Sequence, residues 1–506
     1  MRATARPPWW LVAVLLLIAF AFQGSRAIWE PDEGRYTGAS LNMLASGDWL
    51  VPTVDGEHPH LTKPPMIYWA VASSFRLFGI NEWAARLPGA LAFVGTGLLV
   101  FGLGRRLLPA QPWLPALVWA LSFGPISGAS VVSTDALLMF FETAAMLAFV
   151  EAWSRDGASR SRWVLAMWLA WGLAFMTKGP PALLPLLAMV VMLIAHDRRA
   201  LRDLFPVAGL VLFAVVAFTW FALIVRQDPD RLGYFLGYEV YDRIFTGTHL
   251  RNSRWYQAFE VYLPVLLLGA LPWWPLALIG AGGPRAAIGK LRTRIAVRDR
   301  EWLLLLYWFF LPLLIFFLAK SRLHLYVLPL FVPLSLMLAR ALANWPWLDR
   351  RRLIVTAAAT AVALIGLKGL AAFWPADRDA RVMAEAIREI IEPHAIDEIV
   401  FVDMRGFHAL QLYLGVHIES VRTGTRRMAP SRFVAEEDLC AEIAEHENNV
   451  YALKESRVPR FVDSVTDCEA ARADRIGQFY GDGNRIVLFV IRPARARSAS
   501  DGAESG

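Results

Sequence analysis

The chain has 506 residues, of which 56% are hydrophobic and only 19% charged, with a mean hydropathy of +0.42 and 21 tryptophans. This is too apolar for a soluble globular protein of any size and reads as a polytopic membrane protein. A net charge of +7 and a pI near 9.5 could suit a nucleic-acid binder, but in a membrane chain basic residues first report topology, and no nucleic-acid partner is expected.

Apolar runs long enough for a helix to cross about 30 Å of hydrocarbon recur near residues 9–28, 83–103, 112–130, 136–153, 163–177, 180–196, 205–225, 258–280, 302–318, 325–343 and 353–373. They predict a mainly α polytopic bundle with roughly eleven crossings, about 11–13 helices in all. The first run follows Arg2 and Arg6 but is long for the core of a signal peptide, and no clear cleavage site precedes Trp29, so a retained span is expected. Alternate loops then carry Arg105-Arg106, then Arg155, Arg160 and Arg162, then Arg198, Arg199 and Arg202, then the basic stretch 285–300, then Arg350-Arg351-Arg352. The positive-inside rule puts these loops in the cytoplasm.

The loops left for the opposite face differ in kind. Residues 29–82 open with Glu30-Pro31-Asp32-Glu33-Gly34-Arg35-Tyr36 and continue to Thr62-Lys63-Pro64-Pro65. The others hold Ser133-Thr134-Asp135, the corner Thr177-Lys178-Gly179-Pro180, residues 226–257, and Lys320 to Tyr326. Carboxylates at a membrane boundary are costly and need partners, so this gathering of acids and cations points to a reaction site on the external face.

Each of these residues also has a plainer reading. Asp32 and Glu33 suit the N-terminus of a helix, where an acid caps N–H groups and meets the positive end of the dipole. Arg35 and Lys63 suit interfacial anchors whose heads snorkel to water. Asp135 lies between apolar helices, where its charged form needs a cation or a donor, unless it or Thr134 caps the helix. His249 and His324 have no helical partner at metal spacing, and the Trp pairs 9–10 and 273–274 read as interfacial belts.

From about Trp374 the composition becomes that of a soluble domain. Residues 377–392 have helical spacing, 398–403 and 485–491 read as buried strands, and 406–415 and 432–446 as further helices, which predicts a small α/β domain over 374–496 and a disordered tail over 497–506. Cys440 and Cys468 match no metal or redox spacing; an oxidising compartment would let them pair, and spacing alone does not decide it.

The run Pro31 to Tyr36, then Met43 to Trp49, Lys63-Pro64-Pro65 with Tyr68-Trp69, Phe78-Gly79, and Ala85-Arg86-Leu87-Pro88 resembles the first external loop of the lipid A aminoarabinose transferases. These are relatives of the protein O-mannosyltransferases among the polyprenyl-phosphate-sugar-dependent glycosyltransferases with the GT-C fold. Thr134-Asp135-Ala136, Thr177 to Pro180 and Lys320 to Pro329 extend the similarity. The resemblance implies a transmembrane catalytic domain over 1–373, with its loop 29–82 in the periplasm, and an inverting enzyme of the bacterial inner membrane. Such an enzyme takes a sugar from a polyprenyl phosphate and gives it to lipid A or another envelope glycan.

It further implies Lys63 and Arg35 at the donor phosphate, Tyr326 as a hydrogen-bond donor, and Asp32 and Asp135 toward the sugar or acceptor. Glu33 stands beside Asp32 as a further acid, and Tyr36, Lys178 and His249 join the substrate-binding set. In the family a glutamate commonly precedes the lysine of Lys-Pro-Pro and is linked to zinc. Here that position is Thr62, a poor ligand, so no cofactor is assigned and zinc is not expected at this site, while a divalent metal held through His249 and His58 or His60 stays an open alternative. Arg322-Leu323-His324-Leu325 also departs from the family's usual Lys-Leu-Pro-Thr type of sequence, which points to another sugar or acceptor. The alternatives are a protein O-mannosyltransferase-like enzyme and a lipid-linked-sugar flippase. A flippase would spread its charges through the bilayer and carry inverted repeats, which are not evident here.

Overall fold

The computed structural model describes residues 6–493 apart from 57, 243–250, 344, 346–347, 395, 424–438, 446–447 and 469–470. The predicted tail and most of the helix expected over 432–446 lie outside the described residues. The chain divides into two compact units, Met1–Arg26 with Leu61–Trp374, and Ala27–His60 with Pro375–Gly506. The loop expected at 29–82 is therefore shared between them.

In the first unit every predicted apolar run contains helix. The chain runs through α1 (Trp9–Phe20), α3 (Met66–Phe78), α4 (Glu82–Leu107), α5 (Trp113–Ala120), α6 (Phe123–Ala129), α7 (Thr134–Trp153) and α8 (Gly157–Lys178). It continues through Leu184–His196, Val207–Gln227, Gln257–Gly269, Trp273–Gly280, Arg300–Leu318, Phe331–Leu342 and Arg350–Phe373. The helix α2 (Asp32–Ser46) belongs to the second unit.

Fewer of these helices can cross a membrane alone than the hydropathy runs predict. Among the described residues six are long and apolar enough, or seven if the pair Gln257–Gly269 and Trp273–Gly280, bent by 74°, makes one span. Six or seven uninterrupted helices fall below the expected eleven because proline and short polar breaks interrupt the other runs. The run at 112–130 is split between α5 and α6, that at 180–196 opens with a 3-10 turn at Pro180–Leu183, and α1 has only 12 residues, about 18 Å of helix.

Side-chain caps fix several helix starts. Asn81 accepts the N–H of Ala84 at 2.9 Å, Asp299 that of Trp302 at 3.2 Å and Asp349 that of Arg352 at 2.8 Å. Within hydrocarbon the carbonyls at a helix end also need donors. Lys368, in the last long helix, donates to the carbonyls of Ile18 and Ala19 at 2.9 and 3.1 Å, at the end of α1. Arg86, 2% exposed, donates to those of Gln23 and Arg26 at 3.3 and 2.5 Å just beyond. The motif arginine of Ala85-Arg86-Leu87-Pro88 thus ties down the exit from the first helix.

Small residues set the packing around the turn that carries Tyr326. A Cβ on Gly124 would lie 2.2 Å from the ring of Phe331, one on Gly269 2.5 Å from the same ring, and one on Gly128 2.2 Å from Leu328. The 3-10 turn His324–Leu330, which carries Tyr326, therefore enters a bundle whose facing surface has been cleared for it.

The second unit holds a five-stranded mixed sheet in the order β2-β1-β3-β5-β4. Strand β1 (Glu398–Val402) pairs in parallel with β2 (His417–Val421) and β3 (Asn449–Lys454), whereas β5 (Asn484–Pro493) runs antiparallel to β3 and to β4 (Ala471–Gly481). Alternation along β1 sends Ile399 and Phe401 into one core with Met383 and Ile387, and Val400 and Val402 into another with Tyr451 and Phe461. Burial on both faces explains why β1 reads as an unbroken apolar run. The helix predicted at 377–392 spans Ala380–Ile391, capped by Asp379. The helix expected at 406–415 is shorter, Leu410–Leu414. Cys440 and Cys468 are joined by a disulfide that links the helices Leu439–Glu445 and Val458–Asp467.

Candidate functional site

In the second unit the acidic motif is built onto the C-terminal domain. The backbone from Ile28 to Glu30 forms a bridge with residues 378–380, with Glu30 N–H donating to Arg378 at 3.1 Å and Ala380 N–H to Ile28 at 3.2 Å. The N–H of Ile28 donates to the Tyr413 hydroxyl at 2.9 Å, and Gln411 donates to the Val54 carbonyl at 3.3 Å. Glu30 is 2% exposed, and one of its oxygens accepts the Ala409 N–H at 2.5 Å. Burial pushes its carboxyl up to about 8, against the pull of that N–H and of Arg35. Burial likewise holds neighbouring His408 down at about 4, with Asp55 opposing and Arg35 assisting.

These contacts explain the residues of the motif. A Cβ on Gly34 would sit 2.3 Å from the Glu30 carboxylate, and one on Gly38 3.0 Å from His408, so only glycine lets α2 lie this close. Glu33, 1% exposed, accepts the N–H of Trp29 at 3.0 Å, the helix-start role that its position allows. Asp32 is open to solvent, and its oxygen accepts from Arg35 at 2.5 Å, while the Arg35 guanidinium stands 5.8 Å from the centroid of the Tyr36 ring. His58 and Asp55 close on one another at 3.2 Å within the same turn.

In the first unit a buried ion pair joins Asp135 of α7 to Lys178 of α8. Both side chains are more than nine-tenths buried, 9% and 8% exposed. Ser133 caps α7 by accepting the N–H of Asp135 at 3.3 Å, so the cap is neither Thr134 nor Asp135, and the Asp135 carboxylate is turned to the lysine. The Lys178 ammonium also stands 4.5 Å from the centroid of the Tyr326 ring, a cation–π contact. A desolvated pair of this kind adds little net stability, and ionisable side chains buried within a membrane bundle mark a functional place. Lys63 donates to the Thr62 carbonyl at 3.0 Å, just before α3.

Sequence reasoning missed other members of this region. Arg322, 3% exposed, donates to the carbonyls of Asn252, Arg254 and Phe317 at 2.6, 3.0 and 2.9 Å and so clamps residues 251–254 to the turn carrying Tyr326. Its signal was present as the departure from the family's sequence. Glu142, 3% exposed on α7, was hidden inside an apolar run. His249 lies outside the described residues. Asp32, Glu33, Arg35 and Tyr36 fall in one unit and Lys63, Asp135, Lys178 and Tyr326 in the other, and each set has the geometry given above. Among the described residues the carboxylates of Glu398, Glu419 and Glu442 approach one another within 4.8 Å, with Glu442 already accepting from Asn449 at 2.7 Å.

Comparison with solved structures bears on the fold. The crystal structure of ArnT from Cupriavidus metallidurans bound to undecaprenyl phosphate superposes with a TM-score of 0.73, covering 95% of this chain and 97% of that one at 21% identity. The chain has the GT-C fold. Residues 62–222 of this GT-C chain match the family described as dolichyl-phosphate-mannose-protein mannosyltransferase. An undecaprenyl phosphate-α-4-amino-4-deoxy-L-arabinose arabinosyl transferase of Edwardsiella ictaluri is 34% identical over 339 residues, 65% of this chain and 58% of that protein. Arabinosyl transferase 1 of Sodalis glossinidius is 35% identical over the same length and shares. The chain thus spans 58% of the length of these curated relatives. The resemblance drawn from the motifs stands, and the protein is a multi-pass membrane protein of the GT-C type.

Proposed function

We propose that this protein is an inverting glycosyltransferase of the bacterial inner membrane that moves a sugar from a polyprenyl phosphate to lipid A or another envelope glycan at the periplasmic face. The observation that carries the reading is the buried Asp135–Lys178 pair beneath the Tyr326 ring, built from three motifs that sequence alone had grouped. A polyprenyl phosphate gathers negative charge as its glycosidic bond breaks, and fixed cations favour that charge more in the transition state than in the ground state. Lys63 takes that role at the donor phosphate, and Tyr326 donates a hydrogen bond there. The resemblance assigns Asp32 and Asp135 to the sugar or acceptor, where a carboxylate takes the proton of an attacking hydroxyl or, with a phosphate acceptor, steadies oxocarbenium-like charge. The similarity over 62–222 and the names of the relatives support the donor class.

In proteoliposomes supplied with a polyprenyl-phosphate sugar and lipid A, Lys63→Ala is expected to abolish transfer while the protein keeps its melting temperature, and Asp32→Asn to lower turnover by about 100-fold or more. Wild-type turnover in Lys63→Ala removes that residue from the mechanism. Transport of the carrier across the bilayer without any glycosyl transfer replaces the proposal with a flippase.

A further inference from the structure

Glu142 follows Asp135 by seven residues on α7, so the two lie two turns apart on one face of the helix. Seven residues of rise put Glu142 about 10 Å along α7 from Asp135, and Lys178, at the C-terminal end of the antiparallel α8, leans back along its own helix toward that level. Its Oε2 has no hydrogen-bond partner among the described residues. The charges that act on it are Lys178 from α8, which attracts, and Asp135 from its own helix, which repels. The buried cation of α4, Arg86, is turned to the carbonyls of Gln23 and Arg26. Among the described residues the groups set out above are two acids and one ammonium, and a buried polar oxygen without a partner is costly enough to mark a function.

We propose that Glu142 is a positioning residue, the second acceptor for the Lys178 ammonium, which takes the lysine when Asp135 turns to substrate. The compact ammonium on its flexible stem pivots between two acceptors on one helix face. Asp135 held by the ammonium has its oxygen engaged and is a poor ligand for sugar or acceptor. Passing the lysine to Glu142, whose carboxyl oxygen accepts an ammonium N–H, frees Asp135 with no proton gained or lost, and the charge of the group as a whole does not change. The effect on turnover rests on the transferase reading, whereas the sharing of Lys178 does not.

A double-mutant cycle on the full-length protein in detergent tests the sharing through its melting temperature. Glu142→Gln and Asp135→Asn each leave the lysine one carboxylate and cause small losses. The double variant leaves it none and is expected to melt several degrees below the sum of the two, and adding Lys178→Met restores most of that extra loss. Additive losses, or a loss that Lys178→Met does not relieve, overturn the proposal. In the transfer assay Glu142→Gln should lower kcat about tenfold with KM little changed, and Glu142→Asp should recover part of it. An unchanged kcat overturns the hand-over. A non-additive cycle in a protein that transfers no sugar would instead sink the transferase reading and leave the sharing of Lys178 in place.

Discussion

Glu30 and His408 are buried ionisable groups within the unit that carries the acidic motif, and burial keeps both neutral. Their pH dependences run in opposite directions. Glu30, raised from 4.5 to about 8, contributes stability in full below its ordinary value and loses it as pH rises through about 8. His408, lowered from 6.5 to about 4, contributes in full above its ordinary value and loses it as pH falls through about 4. The attachment of residues 27–60 should therefore be firmest between these ranges. Limited proteolysis of that segment from about pH 4 to about pH 9 is expected to show protection falling at both ends. Glu30→Gln, which keeps the acceptor for the Ala409 N–H, should flatten the alkaline limb and leave the acid limb unchanged. An alkaline limb that survives the substitution assigns it to another group.

At the scale of elements, the fit of Phe331 between Gly124 and Gly269 decides where the turn bearing Tyr326 sits. A new methyl at Gly124 meets the tip of a fully buried ring that Gly269 of another helix also touches, so the ring does not yield cheaply. Gly124→Ala should cost about 1–3 kcal/mol, read as a lower melting temperature in detergent, and Phe331→Leu in the same chain should recover part of it. An unchanged melting temperature would show that the ring has room to move. The helices themselves were legible from hydropathy, because each apolar run of this bundle contains one. Their breaks were less so, since a bend of 74° at Leu271-Pro272 leaves the run as apolar as a straight span. In the soluble domain β1 was readable as a solid apolar run, whereas β2 (His417–Val421) contains a histidine and a glutamate and gives no such signal. The disulfide depended on which helices the sheet brings together, and spacing does not encode that.

For the whole molecule, the motif residues were legible because chemistry restricts their types, but their supports were not. Asp135 stood out as an acid between apolar helices, and its partner Lys178 is 43 residues away, brought near only by the antiparallel packing of α7 and α8. Glu30 read as one more charge in a cluster, and only the fold shows it buried against Ala409. The C-terminal domain, whose role the sequence left open, holds the segment that carries the acidic motif. A chain ending at Trp374 should therefore lose protection of residues 27–60 against protease and lose sugar transfer with it. A truncated protein that retains both would show that the segment holds its shape without the domain.

The bond from Ala409 to Glu30 joins residues 379 apart in the chain. Ribosomes add about 5–20 residues per second, so the acidic segment is made roughly 20–75 s before its support exists. During that interval it is a nascent loop with its carboxylate in water. The acidic segment gains its support only at the end of synthesis, and a message cut short before the last domain yields a chain whose acidic segment is unsupported.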